Sequence, residues 1–134
     1  MPVLRGDPDQ RCVIHSTADR RSVKRIRRFV RDVLTDWKCD EPLIDNAISV
    51  VAELTNNVIL HVANVTKLRV AVSREAGKIC LEVWDPSDEI PEPRHAGVED
   101  TVGRGLAMVE ALCESFEWRC DDRGKIARAV PCAE

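Results

Sequence analysis

The feature that constrains the fold most is a change of hydrophobic period part-way along the chain. Two stretches, at about 19–37 and 40–62, carry apolar residues at steps of three and four, which predicts two amphipathic helices. Over 67–74 and 79–84 the period drops to two, on either side of a short turn. That pattern predicts an antiparallel hairpin whose strands each have one solvated face.

The remaining pattern completes a two-layer arrangement. An apolar-centred stretch at 11–15 predicts a first strand, and a third helix is predicted to begin at Gly103. A closing hairpin is predicted over 117–120 and 125–130. The buried face of the third helix is predicted to comprise Leu106, Val109, Leu112, Cys113 and Phe116. Together these elements predict an α+β fold, a two-layer α/β sandwich with helices on one face of a mixed, mostly antiparallel sheet.

Length and charge limit the class of protein. A chain of 134 residues suits a single domain, predicted at 11–134 behind a loose arm at 1–10. Lys and Arg number 20 against 23 Asp and Glu, so nucleic acid and anionic membranes are not the expected partners. The polar start and the lack of a long apolar run favour a cytoplasmic protein. Six cysteines without a Cys-x-x-Cys pair favour reduced thiols, with disulfides as the alternative.

The first helix carries an unusual concentration of positive charge on the face opposite its apolar stripe. The cations there are Arg20, Arg21, Lys24, Arg25, Arg27, Arg28 and Arg31. A solvated helix face is the simpler interpretation, and a docking surface for an acidic partner is the sharper one. Nucleic acid is disfavoured because no aromatic residues interleave with the cations.

One edge of the second helix carries polar residues with useful chemistry. Glu53, Asn57 and His61 follow one another at steps of four, so they lie along the same edge. The amide oxygen of Asn57 is a hard ligand suited to Mg²⁺. Glu53 is placed to accept a proton from an attacking hydroxyl or water. The alternative is a helix that merely exposes polar residues to solvent.

Two further segments point to a ligand. Asp85 ends a strand ahead of a long aperiodic stretch, and a carboxylate there can accept a hydrogen bond from an exocyclic amine such as that of adenine. Gly103 and Gly105 lie at the start of the third helix, where free N–H groups attract phosphate. Taken separately, the first could be a strand-ending turn and the second a plain loop-to-helix turn.

The order and spacing of these segments resemble the Bergerat-fold ATPases. Within that superfamily the chain is most similar to the stand-alone anti-sigma factor serine/threonine kinases of Gram-positive bacteria. The stretch 53–61 resembles their N-box, while 85–87 and 103–106 resemble their two glycine-box regions. The turn at Gly124 and Lys125 resembles the one before their last strand.

The resemblance implies a role for each matched residue. Glu53 would be the general base, Asn57 would coordinate Mg²⁺ between the ATP phosphates, and Asp85 would bind the adenine amine. Residues 86–102 would form a lid over the nucleotide. The residues implied to bind ATP are Asn57, His61, Asp85, Ser87, Gly103, Arg104, Gly105 and Leu106.

The same resemblance implies a function. The chain would hold a sigma factor inactive and phosphorylate an anti-sigma factor antagonist on Ser or Thr, and so regulate transcription. Members of the family are commonly homodimers. The alternative is a non-catalytic, ATP-gated protein-binding module. Two departures bear on the choice: Asn56 stands where the family usually has Thr, and Ile126 stands where a Thr is expected to support Asp85.

Overall fold

The computed structural model describes residues 10–61, 66–87 and 101–133, with only the backbone described at residues 61 and 101–104. The predicted arm at 1–10 therefore lies, except for Gln10, outside the described residues. The helices and strands are β1 (Arg11–Thr17), α1 (Arg20–Asp36), α2 (Glu41–His61), β2 (Lys67–Glu75), β3 (Lys78–Asp85), α3 (Thr101–Leu112), β4 (Cys113–Asp121) and β5 (Gly124–Pro131).

The five strands of the described residues form one sheet in the order β1-β2-β3-β5-β4, and each neighbouring pair is antiparallel. Alternate strand residues face the helices and form the core with them, which confirms the α+β sandwich. The helix-facing core residues of the three central strands are Leu68, Val70, Val72, Ile79, Leu81, Val83, Ala127 and Ala129.

The sequence at the start of α1 defines its first turn. The Asp19 carboxylate accepts hydrogen bonds from the Arg21 and Ser22 amides at 2.9 and 3.2 Å, while the Ser22 hydroxyl accepts from the Asp19 amide at 3.2 Å. This is a capping box. A hydrogen bond from the Thr17 hydroxyl, helped by the two amides, lowers the pKa of Asp19 below its usual value. Four turns later the helix ends at Asp36, close to the predicted end.

Helix α2 is buried on more than the one stripe that the periodicity predicts. Besides Ile44 and Val51, Val50 and Leu54 on another side are at most 2% exposed. The reason is that α2 packs against α1, α3 and the sheet at once. The stretch Glu41–Leu60 has the length of a membrane span, 20 residues, and a mean hydropathy of 1.2. Half of its most apolar part is buried inside the domain, however, as in the core helix of a globular fold.

The third helix begins and ends earlier than its pattern predicts. It starts at Thr101, two residues before Gly103, and ends at Leu112, so Cys113 and Phe116 belong to β4 and not to the helix. The spacing of Cys113 and Phe116 fits a helix. Phe116 and Trp118, however, also alternate with period two, and they pair with Ala129 and Ala127 on β5. Their rings pack edge to face at 5.4 Å, which favours the strand.

All six cysteines are free thiols. Burial raises the pKa of Cys80 to about 11 and that of Cys113 to about 12. Both thiols therefore stay protonated at neutral pH and behave as small apolar side chains.

Candidate functional site

Glu53 lies against the beginning of α3. A Cβ atom added at Gly105 would overlap the Glu53 carboxylate, so a glycine there leaves room for this carboxylate beside α3. The Glu53 side chain is half-buried. The carboxylate is therefore held between two helices and is not on a solvated helix face.

One turn further along α2, Asn57 is 4% exposed and its Nδ2 atom has no hydrogen-bond partner among the described residues. Such an atom costs about 1–3 kcal/mol when it stays unsatisfied. Thr55, equally buried on the same helix, shows the contrast, because its hydroxyl donates to the Val51 carbonyl at 2.7 Å. The unpaired Nδ2 is a hydrogen-bond donor that could meet an acceptor on a ligand, whereas the amide oxygen is the atom that could coordinate a metal.

Asp85 closes β3 and is 1% exposed. Its Oδ1 accepts a hydrogen bond from the Ser87 amide at 2.8 Å. Its Oδ2 lies 2.7 Å from Nζ of Lys125, which is also 1% exposed. The approach angle of Nζ is outside hydrogen-bond geometry, so the contact is an ion pair by distance alone.

The residue that faces Asp85 is thus Lys125, and the expectation that Ile126 occupies this position is wrong. In the register of β3 and β5, Asp85 pairs with Lys125, and Ile126 pairs with Trp84 on the other face. Gly124 allows the start of β5 to lie this close to the end of β3, since a Cβ there would overlap the Asp85 carbonyl oxygen. Its φ of 146° is also one that favours glycine. The sequence marks Lys125 only as part of a turn that resembles the family's, because its burial depends on pairing between strands far apart in the sequence.

The other predicted site residues fall in different places. Ser87 is half-buried and turns the chain after Asp85. Leu106 is 1% exposed and belongs to the hydrophobic core. Gly103, being the third residue of α3, carries one of the unpaired amides of the first turn, whereas Gly105 acts through its missing Cβ.

Three of the predictions concern residues that the structure describes in part or not at all. His61 is the last residue of α2 and Arg104 lies in the first turn of α3, with only their backbone described. Most of the predicted lid, residues 88–100, lies outside the described residues.

The described side chains supply few ligands for a metal ion. Among the described residues, no group of three or more His, Cys, Asp or Glu side chains could hold a metal ion. Asn57 supplies a single amide oxygen. This fits an ion such as Mg²⁺, which proteins often hold with one or two side chains plus the phosphates of a substrate.

Residues 16–130 match the family model of the histidine kinase-like ATPase domain. The match spans most of the chain, so the chain belongs to that family, whose domains bind ATP. The resemblance seen in the sequence is confirmed at this level. No curated protein matched the sequence significantly.

Solved structures show the same fold. The RsbU and RsbW domains of Rv1364c from Mycobacterium tuberculosis match with a TM-score of 0.70 and 19% identity, over 90% of this chain and 31% of that one. The histidine kinase domain from the Erythrobacter litoralis EL346 blue-light activated histidine kinase matches with a TM-score of 0.50 and 14% identity, over 87% of this chain and 64% of that one. The chain thus spans about a third of the first structure, and at these identities both matches define the fold.

Proposed function

We propose that the chain is an ATP-binding anti-sigma factor with protein serine/threonine kinase activity toward an anti-sigma factor antagonist. The observation that carries this proposal is the pair of Glu53, held against Gly105, and Asn57, buried with an unpaired amide one turn away. These are the positions at which the N-box resemblance implies the base and the metal ligand. An RsbW domain among the similar structures also supports it. The protein would act in the cytoplasm and regulate transcription.

Phosphoryl transfer requires positioning and charge stabilisation more than covalent chemistry from the protein. Asn57 would hold Mg²⁺, which when bound neutralises charge on the ATP phosphates. The first turn of α3, with its unpaired amides and positive dipole end, would bind phosphate oxygens near Gly103. Glu53 would accept the proton of the acceptor hydroxyl.

Labelled ATP tests the proposal directly. The protein is incubated with Mg²⁺, γ-labelled ATP and each antagonist-like protein that co-purifies with it, and labelled Ser or Thr is then identified by mass spectrometry. Transfer of label supports the kinase. Partner binding that depends on ATP, without transfer, supports the alternative of an ATP-gated binding module. The buried ion pair between Asp85 and Lys125 is the observation that favours this second function, because ATP would have to displace Lys125 from Asp85 in order to bind.

The basic face of α1 is the surface proposed to hold the acidic partner. All seven of its cations are exposed. A cavity of about 540 Å³ opens along this face, and its described lining residues are Thr17, Asp19, Arg21, Lys24, Arg25 and Arg28. Arg31, at the far end of the helix, lies 3.7 Å from both Glu41 and Asp45 and is less available to a partner.

Reversing charge on this face is expected to weaken partner capture and leave ATP affinity unchanged. The variant carries Arg25→Glu and Arg28→Glu, and capture is measured by surface plasmon resonance at low and high salt. The association rate should fall and its salt dependence should decrease, because long-range attraction speeds encounter. Arg123→Glu, an exposed change in the turn before β5, is the control. If the double variant captures the partner as the parent does, this face is only a solvated helix surface and not the docking surface.

Gly105→Ala is expected to impair phosphotransfer without unfolding the protein. The new Cβ would displace the end of the flexible Glu53 side chain, which can move at small cost to stability. A misplacement of about 1 Å can slow catalysis by roughly 10²-fold. Phosphotransfer and thermal unfolding are measured together, with Ala107→Ser, an exposed change on the same helix, as the control. Full activity in Gly105→Ala would contradict the contact between α3 and the base.

A further inference from the structure

A buried lysine beside the proposed adenine ligand is the feature of this site that the family resemblance does not explain. Lys125 and Asp85 are each 1% exposed, so water does not compensate either charge. A buried charge of this kind is retained only where it is paired. The positive group that pairs with Asp85 is therefore part of the protein itself.

Each oxygen of the Asp85 carboxylate already has a polar neighbour within the protein. The Ser87 amide donates to Oδ1, and the Lys125 ammonium lies 2.7 Å from Oδ2. The exocyclic amine of adenine needs one of these oxygens and space beside it. In the described structure the ammonium occupies that space on the Oδ2 side.

We propose that Lys125 sets the nucleotide affinity of this site, because its ammonium competes with the adenine amine for Asp85. The inference rests on the proposed function in that it takes Asp85 as the adenine ligand. ATP binds by exchanging one donor to Oδ2 for another, so part of its binding free energy is used to break the ion pair.

The structure also offers the displaced ammonium another position. Nζ of Lys125 lies 6.0 Å from the centroid of the Trp118 ring, over its face. An aromatic face attracts a cation, more strongly where water is excluded. Lys125 can therefore turn from Asp85 toward Trp118 when a base enters, and the exchange remains reversible.

The test measures affinity and stability in the same variants. Lys125→Met keeps the length of the side chain and removes the charge, while Lys125→Thr supplies a small hydroxyl donor for Asp85. Calorimetry with Mg²⁺-ATP should give at least a tenfold lower Kd for both variants than for the parent chain. Thermal unfolding without nucleotide should occur at a lower temperature in Lys125→Met, since Asp85 loses its partner. Opposite changes in affinity and stability distinguish competition from a merely structural role, which would lower both.

Two controls define what would overturn the inference. Lys125→Arg keeps a cation beside Asp85 and should bind ATP like the parent. Inorganic triphosphate, which has no base, should bind parent and variants alike. An unchanged or higher Kd for ATP in both Lys125→Met and Lys125→Thr overturns the proposal, as does an equal gain for inorganic triphosphate.

The outcome is separable from that of the proposed function. If removing Lys125 lowers the Kd for ATP but neither the parent nor any variant transfers phosphate, the role of Lys125 is supported and the kinase activity is excluded. If the parent transfers phosphate but removing Lys125 does not lower the Kd, the kinase activity is supported and the role of Lys125 is excluded. If neither the parent nor any variant binds ATP, both are overturned.

Discussion

Replacing Glu53 with glutamine is expected to lower the rate of phosphotransfer by a factor of about 10²–10⁴ while ATP still binds. Glutamine keeps the size and hydrogen bonding of the side chain but cannot accept the proton of the acceptor hydroxyl. The contact with Gly105 should also survive, because the two side chains have the same shape. Single-turnover transfer and ATP binding by calorimetry are measured on the same preparation.

Asn57→Ala is the matched comparison, because it removes the metal ligand one turn away and leaves the base. ATP affinity should fall in the presence of Mg²⁺ and change little without it. Sigma-factor binding should persist in Glu53→Gln, since holding a partner requires no proton transfer. Full phosphotransfer by Glu53→Gln would show that Glu53 is not the base.

Replacing Asp85 with alanine is expected to be the most destabilising change in the site. Removing one partner of a buried ion pair leaves the other charge uncompensated, which costs about 3–5 kcal/mol. Lys125 is 1% exposed and would be that charge. Unfolding in urea measures the loss. ATP affinity should also fall by about tenfold or more, as the adenine amine loses its acceptor.

The double variant Asp85→Ala with Lys125→Met separates stability from binding. With both charges gone, much of the lost stability should return, because no buried charge is left uncompensated. ATP binding should remain weak. A single Asp85→Ala variant as stable as the parent would contradict the burial of this ion pair, and one that binds ATP normally would remove Asp85 from the base site.

Local patterns predicted the elements whose signal is contained within a few residues. Helix α1 followed from apolar residues at steps of three and four, and the β2–β3 hairpin followed from its alternation, because both patterns are set within a few residues. The pairing of Glu53 with Asn57 on α2 likewise depends only on the helical repeat. The family resemblance then placed these residues in a fold that the structure confirms.

What the sequence did not predict depends on contacts between distant segments. Phe116 fits a helical step and a strand alternation equally well, and only pairing with Ala129 decides between them. The second buried side of α2, with Val50 and Leu54, exists because α2 packs against α1, α3 and the sheet at once. Lys125 reads as a surface residue of a turn until the register of β3 with β5 places it opposite Asp85.

That register has a consequence for how the protein is made. β3 pairs with β2 through a tight turn, but its other neighbour, β5, is synthesised only after α3 and β4. Pairing of two strands this far apart in the sequence costs the entropy of closing a long loop before any contact forms. It is therefore slow compared with the formation of a local hairpin. On the ribosome, α1, α2 and the β2–β3 hairpin can therefore emerge and begin to associate while Asp85 still lacks Lys125. Asp85 is therefore expected to acquire its buried partner late in folding, when β5 takes its place between β3 and β4.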